Sequence, residues 1–119
     1  MRTVERFVTA ADAETVWRIL ADVEHWPNWT PTVLAVKPLS ESGLRVGTRY
    51  RVTQPKLLPA AYEVTECTPN EAFTWVQRFP GGSMIADHRL VPRDEGTEVE
   101  LSFTSNGLVA NLVSIMFSN

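Results

Sequence analysis

Apolar residues recur at Ala13, Val16, Trp17, Leu20 and Ala21, the spacing of one face of an α-helix. The stretch that follows from Thr15 to Pro31, TVWRILADVEHWPNWTP, holds Trp17, Trp26 and Trp29, three of the four tryptophans. Each indole needs a broad apolar surface to cover it. Thr9 or Asp12 can cap this helix and Asp22 a second short turn. Pro27 is expected to stop that turn, because it lacks an amide hydrogen and restrains the residue before it. The pattern predicts a bent two-helix clamp whose aromatic side closes over the rest of the chain.

Elsewhere the period changes to two. Alternation predicts strands over Thr3–Val8, Val33–Leu39, Thr48–Gln54, Ala61–Cys67, Ala72–Phe79, Ser83–Val91 and Thr97–Ser105. The links between the last five are short and rich in Pro, Gly, Asn and Asp, so consecutive strands are expected to be antiparallel neighbours. One face collects Tyr50, Val52, Gln54, Tyr62, Val64, Glu66, Phe73, Trp75, Gln77, Met84, Ala86, His88, Leu90, Val99, Leu101 and Phe103. The other collects Arg49, Arg51, Glu63, Arg78, Asp87, Arg89, Glu98 and Glu100. This predicts a sheet with one face covered and one wet.

After Gly107 the run LVANLVSIMFSN has only a narrow polar stripe, Asn111, Ser114 and Ser118, and predicts a helix that meets apolar material over most of its circumference. Twelve residues span about 18 Å, too short to cross such a sheet the long way, and the apolar pattern is still running where the chain stops. The natural chain is therefore expected to be longer.

The 119 residues suit one domain. A net charge of −3 without a Lys/Arg cluster argues against nucleic acid as partner. Cys67 is the only cysteine, which excludes an internal disulfide and a cysteine-built zinc site. The N-terminus has no apolar signal core and no stretch is long enough for a transmembrane segment. A cytoplasmic location is expected.

Signatures of phosphate loops, zinc proteases, calcium loops and nucleophile elbows are missing. Gly81-Gly82-Ser83 joins two strands and reads as a turn. His25 and His88 are the only histidines. Asp87 precedes His88, yet adjacent strand residues face opposite sides, so the two are not expected to form an acid/base dyad. His88 is either a structural imidazole, with Tyr50, Gln54, Tyr62, Glu66 or Gln77 as its partner, or a group orienting a ligand in a cavity; it is the one catalytic candidate. Trp17 and Trp75 read as core, Trp26 and Trp29 as lining an entrance. The Lys56-Leu57-Leu58-Pro59 loop is either tucked over the core or a lip.

The order of elements, with Val16-Trp17-Arg18-Ile19-Leu20-Ala21-Asp22 and Trp26-Pro27-Asn28-Trp29, Glu66-Cys67-Thr68-Pro69 and Phe73-Thr74-Trp75, His88-Arg89-Leu90-Val91-Pro92, and Gly96-Thr97-Glu98-Val99, resembles the START-like (SRPBCC) superfamily. Within it, the likeness is to the polyketide cyclase/dehydrase-like branch. The resemblance implies an α+β helix-grip fold: a curved antiparallel sheet of six to seven strands, two short helices after the first strand, and a C-terminal helix packed across the sheet. It implies a single domain over residues 1–119 with that helix incomplete, and a deep apolar cavity between helix and sheet. It carries no fixed catalytic set, and a histidine is common at the position of His88; no cofactor or metal is expected from the residues.

The leading expectation is a hydrophobic or aromatic small-molecule ligand, a lipid, quinone or polyketide-like compound, held by Trp29, Tyr50, Gln54, Tyr62, Trp75, Gln77, His88, Phe103 and Leu112. One alternative is a cyclase or dehydrase in which His88, Tyr50 or Tyr62 moves protons. Another is a protein-interaction module like the chaperone activators of the superfamily. A homodimer stays open.

Overall fold

The computed structural model describes residues 1–107; the final helix expected beyond Gly107 lies outside the described residues. Strand β1 is Arg2–Thr9. Of the two candidate caps it is Asp12 that starts α1 (Ala13–Leu20), its side chain accepting from the Thr15 amide at 2.8 Å. That bond satisfies one of the free donors at the helix start and holds the Asp12 carboxyl below its usual pKa. Leu20 is buried, and Ala13, Val16 and Trp17 pack against the core, the face that the spacing marks.

A 3-10 helix, Val23–Asn28, follows. Pro27 lies inside it and does not end it: a 3-10 turn this short loses only one hydrogen bond to proline. Asp22 precedes it without a side-chain cap bond, its carboxylate pairing instead with His25 Nδ1 at 2.8 Å.

The remaining strands are β2 (Ala35–Pro38), β3 (Arg49–Thr53), β4 (Ala60–Thr68), β5 (Ala72–Phe79), β6 (Gly82–Arg93) and β7 (Gly96–Asn106). They form one curved seven-stranded sheet in the order β1-β7-β6-β5-β4-β3-β2, with every paired neighbour antiparallel. Strands β1 and β2 are consecutive among the strands yet stand at opposite edges, so the two helices carry the chain across one face of the sheet. Contacts of α1 with β6 and β7, and of the 3-10 helix with β2, mark that crossing.

Register fixes the faces. Phe73, His88 and Leu101 sit side by side on β5, β6 and β7, as do Trp75, Ala86 and Phe103. Val64 pairs with Trp75 and Tyr62 with Tyr50. Most of these residues are buried and belong to the core under the helices. The opposite face carries ion pairs such as Arg6–Glu100 at 3.0 Å, Arg93–Glu98 at 2.9 Å and Arg89–Asp87 at 2.7 Å. Such exposed pairs contribute little stability individually.

One expected face is overturned. The pairing shifts between Val64 and Glu66, where Thr65 is the extra residue of a β-bulge. Beyond it Glu66 pairs with Thr74 on the polar face and Cys67 with Phe73 on the covered one. A bulge inverts the alternation of everything after it, and it spares a carboxylate from burial. The loop between β3 and β4 leaves Leu58 89% exposed, so it does not tuck over the core. Among the described residues no helix is long and apolar enough to cross a membrane.

Gly96 closes the β6–β7 hairpin at φ +145°, and a Cβ there would lie 1.9 Å from the Thr9 carbonyl oxygen at the end of β1. Its contact is with backbone, which cannot swing aside. Gly96→Ala is expected to cost about 2–3 kcal/mol and lower the Tm by roughly 10 °C, as differential scanning calorimetry would show; an unchanged Tm would mean that β1 does not need this close approach.

Candidate functional site

Trp26 stands where the clamp meets the sheet. Its indole Nε1 donates to the Leu20 carbonyl at 2.9 Å. That carbonyl belongs to the last turn of α1, where helix acceptors lack intrahelical donors. With its polar atom satisfied, the ring is free to bury, and its centroid lies 5.3 Å from that of Trp75, 5.6 Å from His88, 6.1 Å from Trp29 and 6.2 Å from Phe73. Trp26 is therefore core, 8% exposed, whereas Trp29 is 53% exposed at the rim. Of the two indoles expected to line an entrance, Trp29 stands exposed and Trp26 buried, though both border the same open space.

His88 is packed beneath it. Its ring stacks on Phe73 at 4.1 Å with planes 12° apart and meets Trp75 edge-on at 5.8 Å. Nδ1 lies 3.2 Å from the Phe73 carbonyl oxygen. A carbonyl only accepts, so Nδ1 must carry the hydrogen and Nε2 the lone pair. The partner of this imidazole is thus the backbone of the neighbouring strand and none of the five side chains that the sequence offered. Burial pushes the His88 pKa down to about 4, against the smaller opposing pull of the Phe73 contact and the Asp87 charge. Asp87 itself faces the other side, where it accepts from Thr74 Oγ1 at 2.6 Å and Arg89 Nε at 2.7 Å.

A recess of about 220 Å³ opens beside these rings. Leu20, Trp26 and Trp29 wall it from the clamp, and Thr30, Thr32 and Val33 from the segment leading to β2. The sheet supplies Val52, Gln54, Tyr62, Trp75, Ala86, His88, Leu101 and Phe103. Six of the residues expected at a ligand site, Trp29, Gln54, Tyr62, Trp75, His88 and Phe103, line this one space. Tyr50 does not: it is 1% exposed, its ring 6.0 Å from Trp75, and its hydroxyl meets the Gly43 backbone. Gln77, beside Met84 nearer the far end of β5, is not in the lining either. Leu112 lies outside the described residues.

Ala86, Val52 and Leu101 were legible as covered-face residues, though not as lining. Thr30 and Thr32 were not, since nothing in the sequence says that their hydroxyls meet at 2.8 Å on the rim.

Among the described residues no lining side chain is charged, for burial pushes the His88 pKa down to about 4. Burial also raises the Tyr62 pKa, leaving a neutral phenol that has no hydrogen-bond partner among the described residues. The recess thus offers aromatic walls and a few neutral polar atoms. Among the described residues no three His, Cys, Asp or Glu side chains gather as metal ligands would.

The family described as polyketide cyclase / dehydrase and lipid transport matches residues 1–116. No curated protein matches the chain. Among solved structures, it is similar to a START superfamily protein from Mycobacterium smegmatis, at 18% identity and TM-score 0.72 over 97% of this chain and 88% of that one. It is similar to major latex-like protein 151 of Panax ginseng, at 13% identity and TM-score 0.78 over 98% and 90%. A hypothetical protein from Helicobacter pylori gives 14% identity and TM-score 0.80 over 95% and 74%. At such identities the likeness establishes the fold, the START-like helix-grip type.

The His88 environment fixes a sign for pH dependence. The folded pKa, about 4, lies below the ordinary 6.5, so between these values the unfolded chain binds a proton that the folded chain refuses. Stability attributable to this group is full above pH 6.5 and falls as the pH drops towards 4, by about 3 kcal/mol in all. Urea titrations at pH 7, 6 and 5 on wild type and His88→Leu are expected to show a shallower decline in the variant; parallel declines would place the acid sensitivity elsewhere.

Proposed function

Since the chain belongs to the polyketide cyclase / dehydrase and lipid transport family, we propose that its recess binds a neutral, hydrophobic or aromatic small molecule. The observation that carries this reading is the lining: aromatic and aliphatic walls with no formal charge among the described residues, and a small set of polar atoms. Such a surface gains by covering apolar area and loses by desolvating an ion. A dry cavity of about 150 Å³ accepts benzene, so about 220 Å³ suits a ring with substituents, with the remainder of a longer molecule reaching past Trp29.

Binding is favoured over proton transfer by the titration of the two groups that would do it. A general base works best with a pKa near the operating pH. His88 is displaced well below that and Tyr62 above its ordinary value. Both are better suited to hold a ligand through hydrogen bonds than to exchange protons with it.

Trp26, Trp29 and Trp75 report on the recess directly. Titrating neutral aromatics, quinones and fatty-acyl esters is expected to change tryptophan emission and raise the Tm for at least one class, while charged analogues do neither. Ala86 sits between Trp75 and Phe103 in the sheet register, and Ala86→Phe would fill the recess. The variant is expected to fold and to lose at least tenfold in affinity. Failure of every class to shift Tm or emission, or undiminished binding by Ala86→Phe, would overturn the reading.

A further inference from the structure

We infer that the ligand of this recess presents a hydroxyl or N–H donor, which His88 Nε2 accepts, so that phenols and related donor-bearing rings are preferred over hydrocarbons, ethers and ketones of the same shape. This rests on the proposal that the recess binds a small apolar molecule, and it adds what that molecule must carry.

The two nitrogens of the His88 ring point in diverging directions. Nδ1 is tied to the sheet through the Phe73 carbonyl, so Nε2 points away from β5. It has no hydrogen-bond partner among the described residues, although 92% of the residue is buried, 8% being exposed. Trp26 Nε1, a donor on one of the rings packed against it, is already committed to the Leu20 carbonyl. No wholly buried side-chain nitrogen or oxygen among the described residues is left without a partner, so Nε2 is not sealed in; the open space beside His88 is the recess.

A lone pair in that position attracts donors and repels acceptors. A ketone or ether oxygen brought against it would set two lone pairs face to face, and a hydrocarbon would strip it of water without replacement, the costly side of hydrogen-bond exchange. Sites built around one buried polar group discriminate most strongly against analogues that leave that group unpaired. The stack on Phe73 and the edge contact with Trp75 fix the ring plane, so Nε2 cannot turn to follow a misplaced oxygen. Tyr62, 6% exposed and also without a partner among the described residues, supplies an O–H to a second ligand oxygen.

Isothermal titration calorimetry with 2-naphthol, naphthalene and 2-methoxynaphthalene separates the terms. Wild type is expected to bind the naphthol at least tenfold more tightly than either analogue. His88→Phe, which keeps a flat ring for stacking but removes the acceptor, is expected to bring the three within about threefold. His88→Gln, whose carboxamide oxygen still accepts, is expected to retain part of the preference and guards against misfolding of the first variant. In wild type, naphthol is also expected to move the 15N signal of His88 Nε2 in the direction of hydrogen bonding, and the methyl ether to leave it in place. Equal affinity of the three compounds for wild type, or a preference that survives in His88→Phe, would overturn the inference and leave apolar binding standing. Binding of none would overturn the inference, and the apolar reading would then stand or fall with the wider set of aromatics, quinones and esters.

Discussion

The hydrogen bond from the Trp26 indole to the Leu20 carbonyl is the condition on which the rest of the covered face depends. An indole buries roughly 150–250 Å², worth about 4–6 kcal/mol as an upper bound, and much of that is forfeited if its N–H is buried unpaired. The carbonyls at the end of α1 are open acceptors because the helix stops there. One bond therefore satisfies the last turn of a helix and releases a large ring to lie against Phe73, Trp75 and His88. The clamp is thereby held to the sheet at one place, and the recess is what remains beside that contact.

The same packing determines what chemistry His88 can perform. Covered by Trp26 and stacked on Phe73, the imidazole loses the water that would stabilise its cation, and the Asp87 charge on the opposite face compensates only partly. A site that needed a proton acceptor near neutral pH would put a carboxylate on the same side. Here the carboxylate is turned outward and held by Thr74 and Arg89. Alternation of side chains along β6 produces this separation without further help, so the arrangement that stabilises the sheet also keeps His88 uncharged.

Much of the fold could be read from alternation, because burying one face of a sheet makes register visible as a period of two. What failed to show was whatever depended on a single backbone feature. The bulge at Thr65 reversed Glu66 and Cys67, and no turn residue announces it. Trp26 and Trp29 are equivalent in the sequence, two indoles flanking Pro27 and Asn28, and only the position of the Leu20 carbonyl separates core from rim. The sequence offers side chains as partners for His88, yet the partner is a main-chain oxygen, which any sequence would supply. Tyr50 lies on the expected face, but its hydroxyl is drawn to the Gly43 backbone and it is not among the residues that line the recess.

Buried polar groups in this protein differ in where their hydrogen bonds go. Thr48 is bonded to the Gly43 carbonyl, Thr74 to Asp87 and Thr97 to the Ala11 carbonyl, each within about 2.8 Å; these hydroxyls spend their donors within the fold, Thr74 between two strands and Thr97 between strand and loop. His88 Nε2 and the Tyr62 hydroxyl are enclosed to the same degree and have no such partner among the described residues. Facing the recess, neither atom ties a strand or a loop. Their placement around one hollow, with no charged side chain among the described lining residues, is the observation on which the proposed ligand rests.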